Sequence, residues 1–265
     1  MKRRQWRILF TVMLVTGILG SGRGVAVAKR AKKERQPAGM EIFLLIGQSN
    51  MAGRAVIENQ DQDTLKNVFL FTGEPGNEWE KAANPLNKYS TVRKNLNMQR
   101  LGPGYTFART IAAASPGKKI GLVVNARGGT ALAEWMPGTL LYTEAVKRTK
   151  MAMKYGTLKG IIWHQGEADI KKVEEYREQI PVLIQAFRQA FKNPELPFVA
   201  GQLWEGRPER AAFNRMIVEL PQLVAVTGVA TAEGTATTDS THFDSKSQRL
   251  LGERYAAEML ELIRK

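Results

Sequence analysis

The chain has 265 residues, no cysteine and a formal net charge of +14. This length suits one catalytic domain with a sizeable core, and the lack of cysteine excludes disulfide bonds and thiolate metal sites. Residues 1–35 hold ten Lys and Arg against one Glu, a charge of +9, which leaves +5 (14 minus 9) for the other 230 residues. Because these remaining charges are mixed in sign, we expect no nucleic-acid partner.

The first 28 residues are typical of an export signal. Basic residues precede the apolar stretch 8–19, and Ala26-Val27-Ala28 supplies the small residues of a cleavage site. Because this stretch is short for a membrane span, we expect cleavage near Ala28, a secreted or periplasmic protein and no stable membrane insertion afterwards. A retained membrane anchor is the alternative. Residues 29–39 are predicted to be a basic disordered leader, and residues 40–265 the catalytic domain.

Apolar, strand-like runs alternate with helical patterns along the rest of the chain. The predicted strands are 42–46, 67–71, 119–124, 160–163 and 198–203. The predicted helices are 105–114, 140–155, 173–191, 207–220 and a last helix that begins near Ser245, with a capping box formed by Ser245 and Gln248. Strands that are apolar throughout and alternate with helices predict an α/β fold, in which helices cover both faces of a parallel sheet.

Polar loops follow three of these strands directly. They are residues 47–49, 125–129 and 164–167. In a parallel sheet the carboxyl ends of the strands lie at one edge, and ligands bind outside that edge. The three loops therefore predict a single site at this rim.

The residue types at this rim predict a serine hydrolase. A serine nucleophile needs an imidazole within hydrogen-bond reach and a third group that orients the imidazole. Ser49 follows the first strand, and His242, one of only two histidines, stands three residues after Asp239. We predict Ser49 as the nucleophile, His242 as the base and Asp239 as the orienting acid; a simple helix cap is the alternative for Ser49. Met51 excludes the Gly-x-Ser-x-Gly elbow of the α/β-hydrolases.

Catalysis by serine also needs donors for the oxygen that becomes negative when the carbonyl carbon turns tetrahedral. We predict that the backbone N–H groups of Ser49 and of Gly128 or Gly129 are such donors. The side-chain amide of Gln165 is predicted as a further donor to the same oxygen.

Five other side chains near these loops are candidates for substrate binding. Arg54 and Arg127 suit a carboxylate, such as that of a sialic or uronic acid, or pair with acids of the protein. Trp135 stacks on a sugar ring or belongs to the core or a lid. His164 binds substrate or is a hydrogen-bonded structural residue. Glu167 binds substrate or orients a histidine or a neighbouring loop.

Five ordered blocks of the sequence resemble one known family. They are residues 47–53, 102–108, 127–130, 164–169 and 239–242. They are similar to the sialate O-acetylesterase-like branch of the SGNH (GDSL-type) hydrolases, which includes the acetylxylan esterases of carbohydrate esterase family six. The resemblance covers about residues 40–262.

This resemblance implies a three-layer α/β/α sandwich with a flavodoxin-like parallel sheet. It also implies that acetyl groups are removed from an acetylated carbohydrate without a metal or other cofactor. Ser49, His242 and Asp239 match the nucleophile, the base and the acid of the family. Gln165 stands in the block that supplies an asparagine in typical SGNH enzymes.

Two alternatives come from other classes of protein. One is a non-catalytic carbohydrate-binding protein that has kept the fold without turnover. The other is a metal-dependent deacetylase, because histidines and carboxylates together bind zinc. Its ligands would be His164, Glu167, Asp169 and His242. That second alternative leaves the block around Ser49 without a role.

Overall fold

The computed structural model describes residues 37–264. The predicted signal peptide and most of the predicted leader lie outside the described residues. The strands are β1 (Met40–Gly47), β2 (Val68–Glu74), β3 (Asn77–Lys81), β4 (Ile120–Val124), β5 (Gly156–His164), β6 (Phe198–Gly201) and β7 (Thr227–Ala230). The helices are α1 (Ser49–Ala52), α2 (Gly104–Ala114), α3 (Leu140–Ala152), α4 (Val173–Phe191), α5 (Ala211–Val218), α6 (Leu220–Leu223) and α7 (Ser245–Arg264).

All these strands form one sheet in the order β3-β2-β4-β1-β5-β6-β7. The edge strand β3 is antiparallel to β2, and all other neighbouring strands are parallel. The five strands β4-β1-β5-β6-β7 have the 2-1-3-4-5 order of flavodoxin-like sheets, to which β2 and β3 add a hairpin. The predicted α/β fold with a flavodoxin-like parallel sheet is confirmed.

The central strand β1 is buried on both faces. Because successive side chains of a strand point to opposite faces, Ile42 and Leu44 pack in the core that α3, α4 and α5 line, whereas Phe43 and Leu45 pack in the core that α2 and α7 line. All four are at most 1% exposed. Burial on both faces explains why the strands read as continuous apolar runs.

Two strands, one helix and one helix cap differ from the sequence prediction. The helix predicted at 207–220 is the shorter α5, Ala211–Val218. The prediction missed β3, where three of five residues are charged, and β7, which has only four residues. The cap of α7 is Asp244, whose carboxylate accepts from the Ser247 N–H at 2.8 Å. The capping box predicted at Ser245 is therefore wrong, because the Gln248 side chain turns away from the helix end and bonds to the Asn50 backbone.

Within residues 37–264, none of the helices combines the length and the apolar character that crossing a membrane requires.

Candidate active site

Ser49 lies at the carboxyl end of β1, where the chain leaves the sheet. Gly47 ends this strand opposite His164 of β5, with a φ of +130°. A Cβ atom on Gly47 would lie 2.2 Å from the His164 carbonyl oxygen, so only glycine allows the two strands to stay paired here. Ser49 then opens α1 and is 6% exposed. The strand end thus presents the hydroxyl at the rim of the sheet.

His242 reaches Ser49 from residues 239–243, which we call the base loop. The Nε2 atom of His242 lies 3.0 Å from the Ser49 Oγ atom, and its Nδ1 atom lies 2.6 Å from Asp239 Oδ2. The other Asp239 oxygen accepts from the backbone N–H groups of Thr241 and His242, at 3.0 and 2.7 Å. The structure therefore brings together the three residues predicted as nucleophile, base and acid.

The environment of Asp239 favours its ionised form. Partial burial raises the pKa of this carboxyl group. The hydrogen bonds from the His242 backbone and ring lower it by a larger amount in total, so the net pKa lies below the usual range for aspartate. An ionised Asp239 accepts a hydrogen bond from Nδ1 of His242. This bond leaves Nε2 as the acceptor that faces Ser49.

The loop after β4 brings Gly128 close to Ser49. A Cβ atom on Gly128 would lie 3.2 Å from the Ser49 Cβ atom and 2.7 Å from Arg54 Nη2. A Cβ atom on Gly129 would meet only Lys94 Nζ, at 3.3 Å. Of the two glycines predicted for the oxyanion hole, Gly128 is therefore the one whose backbone borders Ser49.

The two arginines predicted to bind substrate differ in their surroundings. Arg54 is half-buried, and its Nη1 donates to two backbone oxygens at 2.7 and 2.9 Å. Its Nη2 lies beside Gly128 and has no acceptor within residues 37–264. Burial and the neighbouring charge of Arg100 lower the pKa of Arg54. Arg127 donates to the Val92 carbonyl oxygen at 2.9 Å, so this side chain supports the adjoining loop.

The Gln165 side chain bonds to other groups of the protein, so its predicted role as a donor to the oxyanion is wrong. Its amide nitrogen donates to the Thr130 carbonyl oxygen at 2.8 Å and to Asp169 Oδ2 at 2.5 Å. An amide nitrogen has two hydrogens, and both are used. The buried amide therefore has no hydrogen left for an oxyanion. It joins the loop after β5 to the loop after β4.

Trp135 is a core residue, so its predicted stacking on a sugar ring is wrong. Its ring is fully buried and packs edge-on against Trp163, with the ring centroids 5.3 Å apart. The indole N–H donates to Thr130 Oγ1 at 3.0 Å. Of the predicted alternatives, the structure selects the core aromatic.

His164 is likewise a structural residue and not a substrate ligand. The Tyr255 hydroxyl donates its only hydrogen to the Trp163 carbonyl oxygen at 2.8 Å. His164 Nδ1, 2.8 Å from that hydroxyl oxygen, must therefore be the donor in their hydrogen bond. Burial lowers the pKa of His164 to about 3. The ring is thus neutral, and no substrate reaches it.

Glu167 lies beneath the base loop. Its Oε1 accepts from Asn50 Nδ2 at 2.6 Å, and its Oε2 is buried without a partner among the described residues. Burial raises the pKa of Glu167, although hydrogen bonds and the charges of Arg210 and His242 oppose this rise. These contacts match the alternative in which Glu167 orients a neighbouring loop.

The ligands of the metal-dependent alternative do not form a metal site. His164 bonds to Tyr255, and Asp169 accepts from Gln165. Across the described range 37–264, no three His, Asp or Glu side chains are arranged to hold a metal ion. Among the described residues, the side chains named for the metal-dependent alternative therefore do not form a common set of ligands.

Two residues without a predicted role contact the base loop. Asn50 contacts the backbone of Thr241 and Phe243. Arg210 is buried and donates to the Ser240 carbonyl oxygen at 3.0 Å. The position of Asn50 next to Ser49, the predicted nucleophile, was a usable signal in the sequence. Nothing in the sequence distinguishes Arg210 from the other basic residues.

The family is identified by comparison with known proteins. A family model described as "Carbohydrate esterase, sialic acid-specific acetylesterase" matches residues 39–261. The chain belongs to this family. The resemblance to the sialate O-acetylesterase-like branch of the SGNH hydrolases is thereby confirmed, and so is the assignment of the chain to the carbohydrate acetylesterases.

Other members of the carbohydrate esterases resemble the chain in sequence and in fold. A probable carbohydrate esterase of Arabidopsis thaliana is 32% identical over 177 residues, which are 60% of this chain and 67% of that protein. The X-ray structure of the Arabidopsis thaliana protein has a TM-score of 0.76 at 28% identity and covers 84% of this chain and 99% of the other.

Two more distant structures share the fold alone. The structure of NanS has a TM-score of 0.69 at 18% identity, over 87% of this chain and 99% of NanS. The carbohydrate acetylesterase XAC1771 of Xanthomonas citri has a TM-score of 0.63 at 22% identity, over 84% of this chain and 57% of XAC1771. This chain and these two proteins therefore share a fold.

Proposed function

We propose that this family member is an exported serine esterase that hydrolyses O-acetyl groups of sugars through an acetyl-serine intermediate. One observation carries the proposal: Ser49 Oγ and Asp239 Oδ2 lie 3.0 and 2.6 Å from the two ring nitrogens of His242. An imidazole held in this way accepts a proton on one side while a carboxylate stabilises its charge on the other. The family match supports an acetylated carbohydrate as the substrate.

The reaction has two stages. Ser49 Oγ attacks the acetyl carbonyl carbon while His242 Nε2 takes the hydroxyl proton, and Asp239 stabilises the imidazolium that results. When the tetrahedral intermediate collapses, the bond to the sugar oxygen breaks, and His242 returns the proton to that oxygen. His242 then takes a proton from water, which attacks the acetyl-serine carbon. Acetate leaves, and Ser49 recovers its proton.

The proposed donors to the negative oxygen are the backbone N–H groups of Ser49 and Gly128. Ser49 is the first residue of α1, and N–H groups in the first turn of a helix have no partner inside the helix. Gly128 borders Ser49 closely enough that a Cβ atom would lie 3.2 Å from the Ser49 Cβ atom. Fixed donors of this kind stabilise the transition state more than the ground state.

Cationic groups beside Ser49 favour a sugar that carries a carboxylate. Arg54 Nη2 borders Gly128, and Lys94 Nζ faces Gly129. A guanidinium group with a free nitrogen binds carboxylates through charge-assisted hydrogen bonds. Together with the description of the family, these cations favour an acetylated sialic acid over neutral acetylated xylan.

Acetate release from a chromogenic acetate ester, acetylated sialic acid and acetylated xylan tests this proposal. We expect turnover that Ser49→Ala lowers by about a thousandfold or more. The control Ser115→Ala, at the end of α2, should keep the parent rate. Mass spectrometry of the quenched reaction should find one acetyl group on the peptide that contains Ser49. Undiminished turnover in Ser49→Ala contradicts the proposal, and sugar binding without turnover favours the non-catalytic alternative.

Export is proposed from the sequence of the first 28 residues, which supply a basic start, an apolar stretch and small residues before the cleavage site. The test is expression of the full chain in a bacterial host, followed by fractionation and N-terminal sequencing. We expect exported protein that begins at Lys29. Full-length protein in the membrane fraction indicates a retained anchor, and uncleaved protein confined to the cytoplasm contradicts export.

A further inference from the structure

Asn50 connects the nucleophile to the base loop. It follows Ser49 in α1 and is 1% exposed. Its Nδ2 donates to the Thr241 carbonyl oxygen at 3.1 Å, and its Oδ1 accepts from the Phe243 N–H at 3.1 Å. One side chain therefore holds the backbone on both sides of His242.

The orientation of the Asn50 amide is determined by its neighbours. Nδ2 also donates to Glu167 Oε1 at 2.6 Å, so two acceptors surround the nitrogen, while the Phe243 N–H is directed at the oxygen. A reversed amide would place its oxygen against two oxygens and its nitrogen against an N–H group. Glu167 thus holds Asn50 in the orientation that binds the base loop.

The base loop depends on contacts from outside itself. Ser240 has a φ of +63°, a conformation that is uncommon for residues other than glycine and persists only where surrounding groups support it. Asp239 is exposed, and Ser240, Thr241 and His242 are only half-buried. The contacts that tie the loop to the body of the protein include those of Asn50 and the bond from Arg210 to the Ser240 carbonyl oxygen.

We propose that Asn50 is a positioning residue that sets the distance between Ser49 Oγ and His242 Nε2 by binding the base loop to α1, with Glu167 holding its amide in place. This inference rests on the proposed serine mechanism. The hydrogen bonds of the Asn50 side chain go to Glu167, to the backbone on both sides of His242 and to Gln248, and we place none of them on the reacting atoms. A misplacement of about 1 Å costs on the order of a hundredfold in rate. Loss of the contact should therefore lower kcat and leave KM nearly unchanged.

The variant Asn50→Asp removes this function with little change in shape. The carboxylate keeps an acceptor for the Phe243 N–H, but it places an oxygen where Nδ2 donated to Thr241 and Glu167. We expect kcat to fall about a hundredfold and KM to change by less than about threefold.

The matched control is Asn214→Asp. Asn214 is 6% exposed, and its side chain also binds a backbone through both ends, to the N–H and the carbonyl oxygen of Leu203 at 2.9 and 2.8 Å. It contacts neither Ser49 nor the base loop. This control loses comparable hydrogen bonds, so its stability should fall, but its kcat should stay within about twofold of the parent.

A reciprocal exchange separates positioning from stability. In the double variant Asn50→Asp/Glu167→Gln the amide and the carboxylate exchange places, so the hydrogen bond between positions 50 and 167 returns in the reverse direction. We expect kcat to recover about tenfold relative to Asn50→Asp, with KM unchanged. A kcat that does not recover, or that only follows the melting temperature across the variants, contradicts the positioning role.

Labelling of Ser49 by a small neutral phosphonofluoridate measures the alignment of nucleophile and base without any sugar. We expect labelling of the parent at Ser49, and labelling about a hundredfold slower in Asn50→Asp, with rates normalised to the folded fraction from circular dichroism. Asn50→Ala replaces Asn50→Asp if the latter does not fold. If the variant reacts at the parent rate, the inference on Asn50 is overturned while the serine mechanism stands. If the parent is not labelled at Ser49, both are overturned.

Discussion

The Oγ atom of Ser49 lies 3.0 Å from the Nε2 atom of His242, although 193 residues separate them in the chain. The two residues meet because β1 ends at the same rim of the sheet to which the chain returns just before α7. A hydrogen bond of this length allows direct proton transfer. Changes that disturb it should lower the rate of the chemical step more than substrate binding.

Asp239→Asn should lower kcat by about a thousandfold or more, because the ring of His242 loses the partner that holds its tautomer. The proposed mechanism requires a neutral base, so we expect the activity of the parent to fall in acid. The pKa of Asp239 lies below the usual range, so Asp239 itself stays ionised there. Removal of this anion destabilises the imidazolium, and the acid limb of kcat/KM against pH should move to lower pH in the variant.

The matched control is Asp244→Asn, since Asp244 caps α7 and asparagine caps equally well. Its pH profile should coincide with that of the parent. An acid limb that stays in place or moves to higher pH in Asp239→Asn would contradict the role given to Asp239.

Arg54→Ala should discriminate between charged and neutral sugars. Arg54 Nη2 lies beside Gly128 and has no acceptor among residues 37–264. Loss of this group should raise KM for acetylated sialic acid about tenfold and change KM for a neutral acetylated sugar by less than about twofold. Acetate release measures both. Arg109→Ala, which removes an exposed arginine of α2, is the control and should affect neither. An equal rise for both sugars would show that Arg54 has only a structural role.

Gly128→Ala and Gly129→Ala should separate the two glycines of the loop after β4. The methyl group at position 128 would lie 3.2 Å from the Ser49 Cβ atom, so we expect kcat to fall about a hundredfold. Gly129 has a φ of +72°, which alanine adopts with strain. That variant should lose about 1 kcal/mol of stability in urea unfolding and keep more activity. The opposite pattern would assign the oxyanion donor to Gly129.

His164 should make stability depend on pH. Burial lowers its pKa to about 3 in the folded state, while a histidine in the unfolded chain titrates at about 6.5. Between these values only the unfolded chain binds the proton, so stability is complete above about pH 6.5 and falls as the pH drops through this window. From about pH 6.5 to about pH 5 the loss should be about 2 kcal/mol.

Urea unfolding of the parent, His164→Gln and His242→Asn at both pH values tests this assignment. Glu167, whose pKa is raised by burial, contributes with the opposite sign, and the charge of His242 is one of the groups that oppose this rise. The comparison of the parent with His164→Gln therefore isolates a single histidine, whereas His242→Asn also changes the contribution of Glu167. The pH dependence should shrink in His164→Gln and persist in His242→Asn. The reverse result would contradict the assignment to His164.

Trp135→Phe should affect stability and not substrate binding. The indole N–H bonds to Thr130 Oγ1 within the core, and its loss leaves that hydroxyl without its donor. We expect a loss of about 1–3 kcal/mol in the free energy of unfolding, with KM for acetylated sugars unchanged. A large rise in KM with little loss of stability would restore Trp135 as a sugar-binding residue.

The strands that the sequence predicted well are those buried on both faces. Residues 42–46, 120–124 and 160–163, which form much of β1, β4 and β5, are continuous apolar runs, and such a run is a local property that the sequence shows directly. The hairpin strand β3 lies at the sheet edge and is largely charged, so it has no such pattern. The short strand β7 exists because β6 offers it an edge, and this partner is not visible in the local sequence.

The same distinction holds for the candidate site: residue types can be read from the sequence, whereas contacts between residues far apart in the chain cannot. Ser49, Asp239 and His242 were predicted from residue type and from the few histidines available, since each chemical role admits few side chains, and the structure brings the three together. Gln165 was misjudged because its donors are taken by Thr130 and by Asp169, 35 and 4 residues away. The contacts of Asn50 with the base loop cross 191 and 193 residues, beyond any local pattern.

By itself, the sequence determined the α/β layers, the family and the residue types offered for the candidate site, because hydrophobic patterning and side-chain chemistry are carried by each short segment. Only the tertiary structure decided which polar side chains face the site and which bond to other groups in the protein interior. The physical reason is that burial and hydrogen-bond partners are set by segments far apart in the chain. His164 and Trp135 stand near the site in sequence, yet close packing against Tyr255 and Trp163 places them in the core.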